Sequence, residues 1–475
     1  MKLGLAVFAL SSLVIFTHSS FAFESETEHY GYFNPHTQKT TQKFRVNEGD
    51  ATRVQKFEAA LDTLGIPHEG AADFSQFVHA NEVNQAEVEN NLQWIDPDKG
   101  LARYISLVNG NLQMFRDFFK SMISLDYLEY QQTLSTDNPS NDSSPLIQHL
   151  KTIAGQVQAN ADLPLQGLKI LIDPGHMGGE EWDHDTGKFV AVGGLKVSEG
   201  DLNLWTSLLT AQKLEALGAT VMLTREKQGA VSTEDPKKYD ATANINNFFY
   251  DSMDDWMAPY LEKSISEVQS TIKAAPQVEK AYSQIQRLQY FITGIDLEAR
   301  SKMIDAFNPD VTLDIHYDAL SNTELQSSDQ SLEAFVPGSF RKAETGSRKN
   351  KALALKHLLE VRRWNQSVEL ADSVTQSMSN ALGIPRLSVP EAFTAVHVRD
   401  GVYARNLYIS RRATSSLVVY LECMHYDYVR EYKKLAKLSQ SGEYHSVEFR
   451  YPKRLDTVSD GISNGFLDYF RNLDQ

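Results

Sequence analysis

Apolar positions change period several times along this chain, and the changes divide it into regions. Val54, Phe57, Leu61 and Leu64 recur at helical spacing, and Gly65-Ile66-Pro67 supplies a stop. A broader stripe of Tyr104, Leu107, Leu112, Phe115, Phe118, Phe119 and Ile123 predicts more helix within 101–130. Ser135 to Pro145 then offers almost nothing to bury and reads as a linker. Beyond it, Leu168-Lys169-Ile170-Leu171-Ile172 predicts a buried strand that delivers Asp173-Pro174-Gly175-His176 into a loop. Leu204, Leu208, Leu214 and Leu217 mark a helix that starts near Asp201 and stops at Gly218. Val311-Thr312-Leu313-Asp314-Ile315 predicts a second buried strand ending at His316. Leu332–Pro337 and the apolar run before Glu422 read as further strands. Ser367–Leu382 and the stretch around Ile462, Phe466, Tyr469 and Phe470 read as helices.

Strands that alternate with helices predict an α/β fold, a mostly parallel central sheet flanked by helices on both faces, preceded by a mainly helical N-terminal domain. The expected partition is a signal peptide over 1–22, the helical domain over 23–134, a linker over 135–164 and a catalytic domain over 165–475. A helical insertion is expected at 226–295, where Ile245, Phe248, Phe249 and Trp256 mark a first helix and Val278, Ala281, Ile285 and Leu288 a second. In open α/β folds ligands gather at the carboxyl edge of the strands. His176 and His316 at two strand ends, with Glu199 at a helix start, can converge there. Two nitrogens and one carboxylate suit Zn2+ and leave its fourth position open, the pattern of a catalytic site. An alternative ligand pair, Glu422 and His425, needs a helix to share a face, and the β-branched run before it argues for a strand.

The blocks also occur in a telling order. Leu171-Ile172-Asp173-Pro174-Gly175-His176, Ser198-Glu199-Gly200-Asp201-Leu202-Asn203-Leu204, Ile315-His316-Tyr317-Asp318-Ala319 and Leu417-Val418-Val419-Tyr420-Leu421-Glu422 together resemble the zinc-dependent N-acetylmuramoyl-L-alanine amidases (amidase type 3 catalytic domain). That family hydrolyses the amide joining N-acetylmuramic acid to L-alanine in peptidoglycan. The resemblance implies His176, Glu199 and His316 as zinc ligands and Glu422 as the catalytic carboxylate. It also implies peptidoglycan as substrate and a protein activator as partner; Arg399 matches a family arginine near the groove, and Arg300 and His184 are further candidate substrate contacts.

The chain departs from the family pattern in two places and shares one feature by position alone. Glu180 to Gly187 is a longer acidic and aromatic loop whose His184 and Asp185 either join the site or stand at its rim. The 226–295 insertion either walls the substrate groove, binds a regulator, or packs as structure. The basic stretch from Arg341 to Arg363 lies where some family members carry a helix that covers the zinc; it otherwise meets acidic wall polymers or faces solvent.

Composition narrows the rest. A chain of 475 residues has room for a catalytic core plus an added domain. The formal net charge of −16 disfavours nucleic acid as a partner. Lys2, the apolar run from Leu3 to Phe16 and Ser20-Phe21-Ala22 predict an exported protein of the periplasm or cell envelope, or a secreted one, with no membrane segment after cleavage. Cys423 is the only cysteine, so no internal disulfide can form, and its apolar setting predicts an inert buried thiol. No G-x-S-x-G elbow or P-loop occurs, which removes support for serine hydrolase and nucleotide chemistry. Three readings are carried forward: a wall amidase, another zinc peptidase acting on wall peptides, and a non-enzymatic wall-binding protein with a degenerate site.

Overall fold

The computed structural model describes residues 91–97, 145–160, 162–180, 182–183, 188–236, 291–321, 324–328, 330–340, 353–354, 357, 361–389, 391–392 and 395–473, with two short strand pairs at 33–34/39–40 and 105–108/111–114. The labelled elements begin with α1 (Pro145–Ala159), β1 (Lys169–Pro174), β2 (Phe189–Val192), β3 (Leu195–Ser198), α2 (Glu199–Ala216) and β4 (Thr220–Leu223). There follow α3 (Leu297–Phe307), β5 (Val311–Asp318), β6 (Glu333–Pro337), α4 (Val361–Leu382), β7 (Glu391–Ala392), β8 (Ala395–Arg399) and β9 (Val402–Arg405). The chain closes with α5 (Tyr408–Arg412), β10 (Leu417–His425), α6 (Val429–Leu435), β11 (Leu438–Tyr444), β12 (Val447–Pro452) and α7 (Arg454–Asn472).

Eight strands form the central sheet in the order β7-β8-β9-β6-β10-β5-β1-β4. The β10-β5-β1-β4 block is parallel throughout, as is β6 with β9; β6 runs antiparallel to β10, and β7-β8-β9 is an antiparallel edge. Alternation along each strand assigns the two faces. Ile170, Ile172, Leu313, Ile315, Val419 and Leu421 join one core with side chains of α1, α2, α4 and α7. On the other face Leu171 and Val418 pack with Ile304 of α3 and Ile409 of α5. Helices therefore cover both faces, as the sequence predicts. The α3/α5 face turns polar toward the carboxyl edge of β5, where Asp173, Asp314, His316 and Glu422 stand at matching register positions.

The segment placed in the linker departs from expectation. Residues 145–159 form α1, which buries Ile147, Leu150, Ile153 and Ala154. Pro145 suits a helix start and these four apolar residues share a face, a signal outweighed in the sequence reading by the polar run just before it. Residues 105–108 and 111–114 pair antiparallel where a helix is expected. Between them stands Asn109-Gly110, the dipeptide most favoured in two-residue hairpin loops. Residues 91–97, assigned to a separate domain, lie against the core: Trp94 stacks on Trp364 at 5.6 Å, and its carbonyl accepts from the Ser339 amide. Among the described residues no helix is long and apolar enough to cross a membrane. Residues 1–22 and the body of the 226–295 insertion lie outside the described residues.

The basic stretch from Arg341 to Arg363 is seen in part. Leu353 and Ala354 are buried, His357 Nε2 lies 2.9 Å from the Arg411 carbonyl, and Arg363 donates to the Ser416 carbonyl. Ser416 precedes β10 and Phe340, which stacks on His357, follows β6. Both mark the sheet edge opposite to His316 and Glu422. The described residues of this stretch thus do not cover the site, because an antiparallel β6 carries the chain away from it before the basic run begins.

Candidate metal centre

Each ligand candidate is set by a different element. β1 ends at Pro174, and the turn places His176 at φ 53°, a left-handed conformation that a β-carbon disfavours and that tends to mark functional sites. Glu199 opens α2, whose N-cap Ser198 accepts a hydrogen bond from the Asp201 amide and donates to Asp183. His316 lies inside β5, which runs two residues further than predicted, to Asp318.

These elements bring three side chains together. His176 Nε2 is 3.0 Å and His316 Nδ1 3.2 Å from the same oxygen, Glu199 Oε1. The two rings meet edge to face at 4.9 Å. The three ligand atoms lie within 4.8 Å of one another. A carboxylate oxygen held by two imidazole N–H groups has the donor set that a divalent cation would use after displacing those protons. Burial lowers the His316 pKa to about 4, so the ring is neutral at physiological pH, as a ligand must be. Burial pushes Glu199 upward, but His176, Lys188 and the histidine hydrogen bonds outweigh it and hold the carboxylate well below its ordinary value. The residues therefore fit zinc.

Buried cations hold the loops that carry these ligands. Arg300, 2% exposed, donates to Asp296, Asp173, the Pro174 carbonyl and the His176 carbonyl. Arg225 donates to the carbonyls of Pro174, Gly175 and Gly200, tying the His176 turn to the start of α2. Burial and the neighbouring Arg300 lower the Arg225 pKa to about 9. Asn203, one helical turn past Glu199, donates to the Gly175 carbonyl. Gly175 itself leaves room for His316: a β-carbon there would collide with the ring. Gly175→Ala is expected to cost about 1–3 kcal/mol by overpacking and to weaken zinc binding, read by denaturant unfolding and chelator competition.

Glu422 stands beside the three. It is the register partner of His316 on β10, at the point where a β-bulge begins, a feature that can re-aim a side chain. Its Oε2 is closed off from solvent and has no hydrogen-bond partner among the described residues. Burial, followed by Glu199, Asp318 and Glu333, raises its pKa well above the ordinary carboxylate value, while Lys188 opposes. β10 is a strand through His425, so Glu422 and His425 are not a helical ligand pair. Cys423 is fully buried and burial raises its thiol pKa, in line with the inert reading.

The second-rank candidates fall differently. Arg300 is a buried clamp beneath the His176 loop and not a groove side chain, because Asp173 and Asp296 draw its guanidinium inward. Arg399 lies on β8, three strands from Glu422, roughly 14 Å at ordinary strand spacing, and it pairs with Glu369 and Asp372 of α4. His184 lies outside the described residues. Three residues near the centre escaped the sequence reading. Lys188 Nζ is 3.6 Å from Glu199 Oε2. Glu333, register partner of Glu422 on β6, has its pKa raised to about 7 by burial and then by Asp318. Arg225 is the third; it follows β4 directly, with only Thr224 between. The insertion leaves from this rim, since Gly229 donates to the Met177 carbonyl and Phe291 stacks on Trp182.

Fold and site together define an α/β protein with a two-histidine, one-glutamate candidate metal centre at the carboxyl edge of its sheet. No protein-family model matches the chain, and no curated protein matches it in sequence. It is similar to solved structures of amidases. One is the CwlD amidase from Clostridioides difficile in complex with the GerS lipoprotein, at 16% identity over 64% of this chain and 98% of that one, TM-score 0.35. Another is the N-acetylmuramoyl-L-alanine amidase from Clostridium difficile 630, at 15% identity over 64% and 97%, TM-score 0.35. A third is the N-acetylmuramoyl-L-alanine amidase AmiC2 of Nostoc punctiforme, at 15% identity over 65% and 99%, TM-score 0.32.

Proposed function

We propose that this protein is an exported zinc amidase that hydrolyses the bond between N-acetylmuramic acid and L-alanine in peptidoglycan, for wall remodelling or daughter-cell separation. The observation that carries the reading is the convergence of His176, Glu199 and His316 with Glu422 in register beside them. The ordered sequence blocks supply the substrate class. Peptidoglycan is then the partner on which the site acts, and a protein activator belongs to the same reading.

Amide hydrolysis needs a strong nucleophile and a proton for the departing nitrogen. Zinc held by His176, Glu199 and His316 would supply Lewis acidity toward the scissile carbonyl and bring water ionisation near neutral pH. Glu422 takes a proton from the attacking water and delivers it to the L-alanine nitrogen as that bond breaks, acting first as base and then as acid. Its buried Oε2, without a hydrogen-bond partner among the described residues, and its raised pKa suit both roles. Arg300, Arg225 and Asn203 hold the His176 turn still while the proton moves.

Incubation with purified peptidoglycan, followed by mass analysis, tests the reading. Stem peptides with free L-alanine N-termini should appear, vanish on chelation and return with added zinc. Cuts within the peptide would replace the amidase reading with a zinc peptidase, and wall binding without cleavage would leave a binding protein.

A further inference from the structure

Glu199 divides its two oxygens. Oε1 faces His176 and His316, while Oε2 lies 3.6 Å from Lys188 Nζ. This contact follows from backbone register. β2 pairs with β3 from Phe189·Ser198 to Val192·Leu195, and the Glu199 amide donates to the Lys188 carbonyl at 3.0 Å, which extends the ladder by one pair. Lys188 is thereby held directly opposite Glu199. The hairpin is anchored in turn by Tyr432 of α6, whose hydroxyl donates to the Leu195 carbonyl and accepts from the Val192 amide. Main-chain pairing thus sets the half-exposed Lys188 opposite the buried carboxylate.

Resting on the zinc reading, we propose that Lys188 is a positioning residue of the metal centre: its ammonium occupies Glu199 Oε2, so that Oε1 alone turns toward the histidines and the ion. A free carboxylate can rotate or bind through both oxygens; one pinned at Oε2 presents a single oxygen in a fixed direction. Partners that orient ligands in this way typically contribute about 10–100-fold to metal affinity. The same ammonium partly balances the carboxylates of Glu199, Glu422 and Asp318, which otherwise repel one another.

A second effect has the opposite sign, and it makes the proposal testable. Lys188 is a cation near a cation, so if repulsion were its main influence, removing it would tighten zinc binding. Zinc affinity of the full chain can be measured by competition with a chromophoric chelator, with no wall substrate present, for wild type, Lys188→Met and Lys188→Arg. The proposal expects Lys188→Met to weaken zinc binding about 10–100-fold, with Lys188→Arg restoring most of it. Thermal unfolding of the zinc-free variants should match wild type within a few degrees; a lower affinity that tracks a lost fold would instead assign Lys188 a structural role and overturn the proposal. Tighter or unchanged binding in Lys188→Met would overturn it too. Failure of the wild type to bind zinc would remove the zinc reading and this proposal together. Zinc binding without amidase products would remove the amidase reading only.

Discussion

Glu422→Gln is expected to lower turnover on peptidoglycan by about 10²–10⁴-fold, the range in which a positioned acid–base group contributes, while zinc affinity stays within a few-fold of wild type. The amide keeps the shape of the carboxyl but cannot shuttle a proton. Product release from wall substrate and chelator competition read the two halves, and full turnover in the variant would sink the role given to Glu422. Stability should move the other way. Because the folded pKa of Glu422 is raised, the folded state binds more protons than the unfolded chain once pH exceeds about the ordinary value of 4.5. Ionisation therefore costs the zinc-free protein stability that is intact below that value and is lost as pH climbs toward the folded pKa. Glu422→Gln should remove this loss, so the metal-free variant should equal or exceed wild type in denaturant midpoint at pH 8 and fall closer to it at pH 5.

Arg300→Met is expected to be the most destabilising single change around the site, about 3–5 kcal/mol, the cost of leaving buried charges without their partner. Arg300 and both its carboxylates, Asp173 and Asp296, are almost fully enclosed, so solvent cannot step in when the guanidinium is removed. Asp314 beside Asp173 is already pushed well above the ordinary carboxylate value, first by burial and then by Asp173, and losing the nearby cation makes the pair worse. Lysine should rescue little, because a single ammonium cannot span Asp296, Asp173 and the carbonyls of Pro174 and His176. Urea unfolding gives the stability change. Zinc affinity should fall as well, because the His176 carbonyl loses its donor; a loss below about 1 kcal/mol would contradict the assignment of Arg300 as the clamp.

The parts legible in sequence share a physical character. Leu168–Ile172 and Val311–Ile315 are apolar and β-branched because β1 and β5 lie inside the sheet with both faces covered, and such strands read as continuous hydrophobic runs. α2 was legible from its apolar spacing and its stop, since Gly218 takes a left-handed conformation that ends the helix, whereas its cap at Ser198 came only with the structure. α1 was missed because a polar neighbour masked a short amphipathic signal, and the 105–108/111–114 pair because aromatic residues at mixed spacing satisfy helix and strand alike. Arg300 was misplaced for a related reason: a motif arginine looks the same whether it faces substrate or the underside of a loop, and only the positions of Asp173 and Asp296 decide between them.

His176, Glu199, His316 and Glu422 were nameable from sequence as a set, because the blocks that carry them follow one another in a family-like order, and the α/β layering was legible from the alternation of strands and helices. The meeting of His176 and His316 at one oxygen of Glu199, the pairing of Glu422 with His316, and the placing of Lys188 opposite Glu199 belong to the tertiary structure. The reason is that strand order and ladder register are set by long-range packing. Residues 188 and 199 face each other through a hairpin and residues 316 and 422 through a parallel ladder, and no local pattern records which strands become neighbours.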